Sequence, residues 1–183
     1  MDAYYVTPVG PFASAVGAAY GTFTTRQHVG PDPATVIAPN QLHLGSKIEL
    51  SAEGEYNTTV TPTLILGFYL GVATATPPTI TLPIAEQAVF TTPSGAANLA
   101  WHMKWRGIVT ALGTAGSMIG HGTIEYETSL TALTVAPIPT TLALRTVAID
   151  TTIARAIGVC ATFGTSNAAN TVKVYNHSTL LLN

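Results

Sequence analysis

From Ser46 to Gly71 the chain reads SKIELSAEGEYNTTVTPTLILGFYLG, and its two halves follow different patterns. In the first, Ile48, Leu50, Ala52 and Tyr56 share one parity, while Lys47, Glu49, Ser51, Glu53 and Glu55 share the other. Such alternation marks a strand with one face in a core and one in water. The second half is a nearly unbroken apolar run. From Leu44 onward the sequence reads only as strand and turn. Strands are predicted near 45–56, 63–71, 79–82, 86–92, 98–111, 117–128, 144–150, 154–163 and 170–182. Breakers lie between most of them, among them Pro77-Pro78, Pro93-Ser94-Gly95, Gly113 to Gly116, Pro137 to Pro139 and Gly164 to Asn170. Residues 129–143 read as a long loop. Short strands without helical periodicity between them predict an all-β sandwich or barrel. About eight strands with mixed connection lengths predict a jelly-roll β-sandwich over residues 41–183.

Residues 1–40 have a different texture. Pro8, Pro11, Pro31, Pro33 and Pro39 oppose both helix and sheet interior, which predicts an extended N-terminal arm. Aromatic residues are spaced along it at Tyr4, Tyr5, Phe12, Tyr20 and Phe23. These five are the candidate interface anchors, because buried aromatics are the usual carriers of interface energy. The plainer reading is that the arm covers its own sandwich. If the arm serves an interface, deleting residues 2–36 should leave the sandwich folded and weaken assembly.

The stretches NLAWHMKWRGIVTAL and SMIGHGTIEYETS predict a hairpin around Thr114-Ala115. Trp101, Met103, Trp105 and Val109 then share a face with Met118, Ile124 and Tyr126. On the other face Lys104 is expected opposite Glu125, and His102 opposite Glu127. Pairs of opposite charge at such positions contribute roughly 0.2–1 kcal/mol each. A slip of one residue would set charges against tryptophans, so the facing is strongly specified.

Composition narrows the function classes. Charged residues are 9% of the chain, where about 25% is usual. Thirty threonines take much of their place. A folded protein that can spare surface charge often has that surface covered by other subunits. The net charge is −2, the sequence pI is about 6.2, and no basic cluster occurs. Nucleic acid is therefore not an expected partner. Prolines interrupt the longest uncharged stretch, and Leu64 to Val72 is far shorter than the roughly 20 residues of a spanning helix, so no membrane partner is expected. MDAYYVTPVG carries no visible secretory signal. Asn57-Thr58-Thr59 and Asn176-His177-Ser178 match the glycosylation sequon, a pattern common by chance.

Candidate chemistry is sparse. Cys160 is the single cysteine and reads as a buried, inert strand residue. His28, His43, His102, His121 and His177 lack metal-ligand spacing; His121 and Glu125 share a strand face but have no His-x-His to complete a site. Ser117 in AGSMI does not match a nucleophile elbow. Glu53 with Glu55, and Glu125 with Glu127, could be glycosidase carboxylates, but read better as a solvated strand face. Trp101 and Trp105 read as core rather than as a sugar-stacking platform. No catalytic residue, metal or cofactor is expected.

Three stretches carry a resemblance: APNQLHLGSKIELSAEGEYNTTVTPTLILGFYLG, the Trp-rich AWHMKWRGIVTALGTAGSMIGHGTIEYETSL, and RTVAIDTTIARAIGVCATFGTSNAANTVKVYNHSTLLLN. Over residues 37–183 the chain resembles virion structural proteins of tailed bacteriophages of actinobacterial hosts. The most specific pieces are TPTLILGFYLG, IDTT and GTSNAANTVKV. The resemblance implies a jelly roll on the capsid exterior, assembled in the host cytoplasm. It further implies a homotrimeric, non-enzymatic decoration (cement) protein whose partner is the major capsid protein of the phage head. The alternative is a receptor- or glycan-binding jelly-roll module of a tail fibre or baseplate. An exposed aromatic cluster on a loop would mark that alternative, and loops 72–79, 93–98 and 129–143 hold no tryptophan or tyrosine.

Overall fold

The computed structural model describes residues 3–6, 19–30, 35–73 and 79–182, with the backbone alone given for 3–6, 79 and 81. Fourteen strands are present among them: β1 (Ala3–Val6), β2 (Tyr20–Gly21), β3 (Gln27–His28), β4 (Thr35–Ile37), β5 (Lys47–Asn57), β6 (Thr63–Val72), β7 (Thr79–Glu86), β8 (Phe90–Thr91), β9 (Leu99–Ala111), β10 (Ser117–Ser129), β11 (Ala132–Ile138), β12 (Thr146–Ala148), β13 (Arg155–Phe163) and β14 (Thr171–Leu182). The only helical element among the described residues is a 3-10 turn, Leu142–Arg145. The strands form two antiparallel sheets packed face to face, an all-β sandwich.

The larger sheet runs β1-β14-β5-β9-β10-β11, with β2 also on β14 and β12 also on β10. The smaller runs β3-β13-β6-β7, with β4 also on β13 and β8 also on β6. The β5/β14 pair of one sheet continues in sequence into the β6/β13 pair of the other. That folded ribbon is the feature on which a jelly roll is built. Beside it, β9, β10 and β11 form an up-and-down meander against β5.

The two textures of residues 46–71 follow from this arrangement. β5 has one wet face, so it alternates: Ile48, Leu50, Ala52 and Tyr56 are buried. β6 lies inside the smaller sheet, with Leu64, Leu66, Phe68 and Leu70 in the main core. Its other face is covered too, because Tyr69 packs with Ile80, Ala156 and Cys160 in a second apolar cluster. Arg26 lies over the Tyr69 ring at 4.5 Å, and the Tyr69 hydroxyl donates to Glu86. A strand covered on both sides needs no alternation.

Boundaries differ from expectation in three places. The strand predicted to begin at 79 runs to Glu86, leaving only Phe90–Thr91 as β8. The 144–150 segment is split between the 3-10 turn and β12. Residues 132–138, expected as loop, form β11, an edge strand that tolerates Pro137 because an edge leaves one side of the backbone unpaired.

The β9–β10 hairpin turns where predicted, with Gly116 N–H donating to Gly113 O at 3.1 Å and Gly113 at φ +96°. Trp101, Met103, Trp105, Val109, Met118, Ile124 and Tyr126 are all buried, as expected. The register differs: Lys104 faces Thr123, and Glu125 faces His102. Ser117 pairs with Ala111 and Met118 with Val109, so Thr110 is an extra residue on the β9 side, while Leu112 falls in the loop. The loop, one residue longer on the β9 side, and the single shift at Thr110 together move the register by two and restore the facing, since side-chain direction has period two.

Candidate functional surface

Strands β14, β5, β9 and β10 lie side by side, so their outward side chains form rows across the sheet. One row holds Leu180, Glu49, Arg106 and His121; the next holds Ser178, Ser51, Lys104 and Thr123. A third holds Asn176, Glu53, His102 and Glu125, and a fourth Lys173, Glu55 and Ala100, with Glu127 accepting from Ala100 N–H at 2.8 Å. The chain has seven basic and nine acidic residues. Nine of these sixteen stand on this face: Lys47, Glu49, Glu53, Glu55, Lys104, Arg106, Glu125, Glu127 and Lys173. Positive charge gathers toward Lys47, Lys104 and Arg106, and negative charge toward Glu53, Glu55, Glu125 and Glu127.

Local pairing tempers the field. Arg106 reaches Glu49 at 2.8 Å and Lys173 reaches Glu55 at 2.6 Å. Burial would push the Glu55 carboxyl up, but hydrogen bonds from Lys173 and Tyr175, together with the Lys173 charge, hold it below the ordinary carboxylate value. Ser51 Oγ lies 3.5 Å from His102 Nε2. Two shallow depressions of about 490 and 360 Å³ lie over the positive and negative halves. Interleaved donors and acceptors of this kind can hold a polar ligand. Glu53 is exposed and Glu125 half-buried on this wet face. His121 and Glu125 fall two rows apart, and among the described residues no group of three His, Cys, Asp or Glu side chains is placed to hold a metal ion.

The remaining candidates are structural. Trp101 and Trp105 are core residues. Cys160 is fully buried, and burial pushes its thiol up to about 12. Asn57 of the first sequon has its amide engaged, donating to Thr171 Oγ1 and accepting from Asn98 N–H.

Of the five arm anchors, Phe23 and Tyr20 have described side chains, and both turn toward the sandwich. Phe23 is buried in the sandwich core, its ring 5.4 Å from that of Phe163. Tyr20 is half-buried against the same core. The backbones of Tyr4 and Tyr5 pair with Leu181 and Leu180 of β14. Phe12 lies outside the described residues. The described parts of residues 1–40 thus lie along the sandwich: β1 and β2 on β14, β3 and β4 on β13.

The surface that the sequence did not disclose is the outer edge of β11, which no other strand among the described residues pairs. Leu130 is 80% exposed, Leu133 62% and Val135 59%, and Leu142 and Leu144 follow in the adjoining 3-10 turn, both exposed. Residues 128–144 contain no charge at all. The signal was the weak alternation of Leu133 and Val135 with Thr134 and Ala136, hidden by prolines at 137 and 139. Comparison with family models, with curated proteins and with solved structures finds no match to this chain.

Proposed function

We propose that this protein is a non-enzymatic structural component of a phage virion, a decoration protein that binds the assembled head lattice and clamps neighbouring capsomers. One observation supports the assembly role above the others: an exposed, uncharged apolar edge from Leu130 to Leu144 on a chain that gathers most of its few charges on one sheet face. Exposed apolar tracts of this kind mark interaction surfaces. The virion setting, the homotrimeric symmetry and the major capsid protein as partner rest on the resemblance of residues 37–183. Many modest contacts in a symmetric array suit such a surface better than one tight complex would. Co-sedimentation with phage heads tests the reading. Wild-type protein should bind to saturation, and Leu133→Glu with Val135→Glu should reduce binding at least tenfold while leaving the fold intact. Undiminished binding of that variant removes the edge from the assembly surface.

A second reading, a receptor- or glycan-binding module, is favoured by the polar depressions, one walled by His102 and Tyr175 and the other by Lys104 and His121. It requires that His102→Ala with Lys104→Ala abolish attachment to host cells while particle binding persists.

A further inference from the structure

Sheets in this protein end in edges of very different character. On the smaller sheet, β3, β4 and β8 are only two or three residues long. The longer β7 carries Pro83 and two register shifts against β6. On the larger sheet, β1 has four residues, β2 two and β12 three. Short strands, prolines and bulges are the usual devices that keep an edge from pairing with another chain. The seven-residue β11 has only Pro137 near one end and, at the other, one register shift against β10 between Glu127 and Ser129. It follows β10 without a register shift from Gly122–Ile138 to Glu127–Leu133, and it offers no charge to oppose an approaching strand.

We infer that the β11 edge pairs antiparallel with the β11 edge of a second copy of this chain, about a two-fold axis at Thr134. This names the occupant of the assembly surface proposed above, and rests on that reading. The strand is complementary to itself in this register. Leu133 of each copy falls opposite Val135 of the other, so the two most exposed side chains of β11 on the outer face cover one another. Thr134 meets its counterpart, and Ala132 meets Ala136. Neither strand brings a charge to be desolvated, the term that most often makes an interface unfavourable. An isologous contact also consumes both free edges at once, whereas a heterologous one leaves an edge open for further growth. A two-fold contact occupies a different surface from a three-fold one, so it joins one trimer to the next and does not replace the trimer.

The isolated full-length protein tests this in two ways. Sedimentation velocity across a concentration series should give species at even multiples of 19.0 kDa, and Thr134→Pro or Leu133→Lys should abolish the step that pairs copies. Oxidation should cross-link Thr134→Cys to itself, since facing Cα atoms in an antiparallel pair lie within disulfide range. Leu133→Cys alone should stay uncross-linked, but should form a heterodimer when mixed with Val135→Cys. The buried Cys160 does not interfere. An odd multiple, a mass unchanged by both variants, or equal cross-linking at Leu133 alone overturns the inference. If the edge variants lose capsid binding while the wild type never forms an even oligomer, the pairing fails and the assembly reading stands.

Discussion

The indole of Trp105 lies against Gly120 so closely that a Cβ on the glycine would stand far inside van der Waals contact with the ring. Gly107, directly opposite Gly120 across the hairpin, is covered by the same ring. Two glycines facing each other across β9 and β10 thus open a slot in the inner face of the sheet, and the largest side-chain type fills it. Gly120→Ala should destabilise the protein by about 1–3 kcal/mol through overpacking. Trp105→Ala should cost about 3–5 kcal/mol. Urea denaturation of the double variant should give less than the sum, because the alanine methyl then meets the Arg106 carbonyl but no longer the ring. Strict additivity would mean that ring and glycine do not share the space.

Register in the same hairpin is open to direct measurement. Interstrand NOEs should connect Lys104 with Thr123 and His102 with Glu125. Accordingly, Lys104→Glu should not be rescued by Glu125→Lys in the manner of a directly facing pair. Contacts placing Lys104 directly opposite Glu125 would overturn this register.

His177 gives the fold a pH dependence. Its ring stacks on Phe68 at 6.2 Å between the sheets, and Nε2 is buried without a hydrogen-bond partner. Burial, aided by the nearby His28, lowers its pKa from the ordinary 6.5 to about 4. The unfolded chain therefore takes up the proton first. The stability this provides is complete above about pH 6.5 and is lost as pH falls toward 4. Its full extent is on the order of 3 kcal/mol, at roughly 1.4 kcal/mol per pKa unit. Denaturation midpoints of the wild type should fall across that window, and His177→Phe should flatten the curve. A wild-type profile as flat as that of the variant would place the imidazole in water.

The arm contributes to stability in its own chain. Phe23→Ala should cost about 3–5 kcal/mol, as for a buried aromatic ring. Deleting residues 2–36 removes Phe23 and Val29 from the core along with β1, β2 and β3. The truncated chain should therefore melt well below the full-length protein, and not simply lose a docking segment. A truncated protein of undiminished melting temperature would return the arm to an interface role.

Local pattern carried most of the architecture. Alternation in β5, β9 and β10 assigned each side chain to core or water, because strand direction fixes side-chain direction with period two whatever lies around it. The facing of the hairpin was legible for that reason, as were the burial of both tryptophans and the outward row of charges. Turn chemistry at Gly113 to Gly116 placed the hairpin loop. The proposed virion setting rests on the resemblance of residues 37–183 and on no periodicity.

Tertiary structure decided what depends on neighbours far away in sequence. Glu53, His102 and Glu125 form one row only because β5, β9 and β10 are adjacent, and β5 is separated from β9 by all of β6, β7 and β8. Phe23 belongs to the core because β13 brings Phe163 beneath it. The register of the hairpin turned on one residue added to the loop and one bulged out at Thr110, whose accommodation depends on the strands alongside. Residues 132–138 became a strand because β10 offered them a ladder of backbone partners, although their side chains signalled a loop. Side-chain patterns are written in the sequence one residue at a time; backbone pairing over long separations is a property of two segments at once, and only the folded chain brings them together.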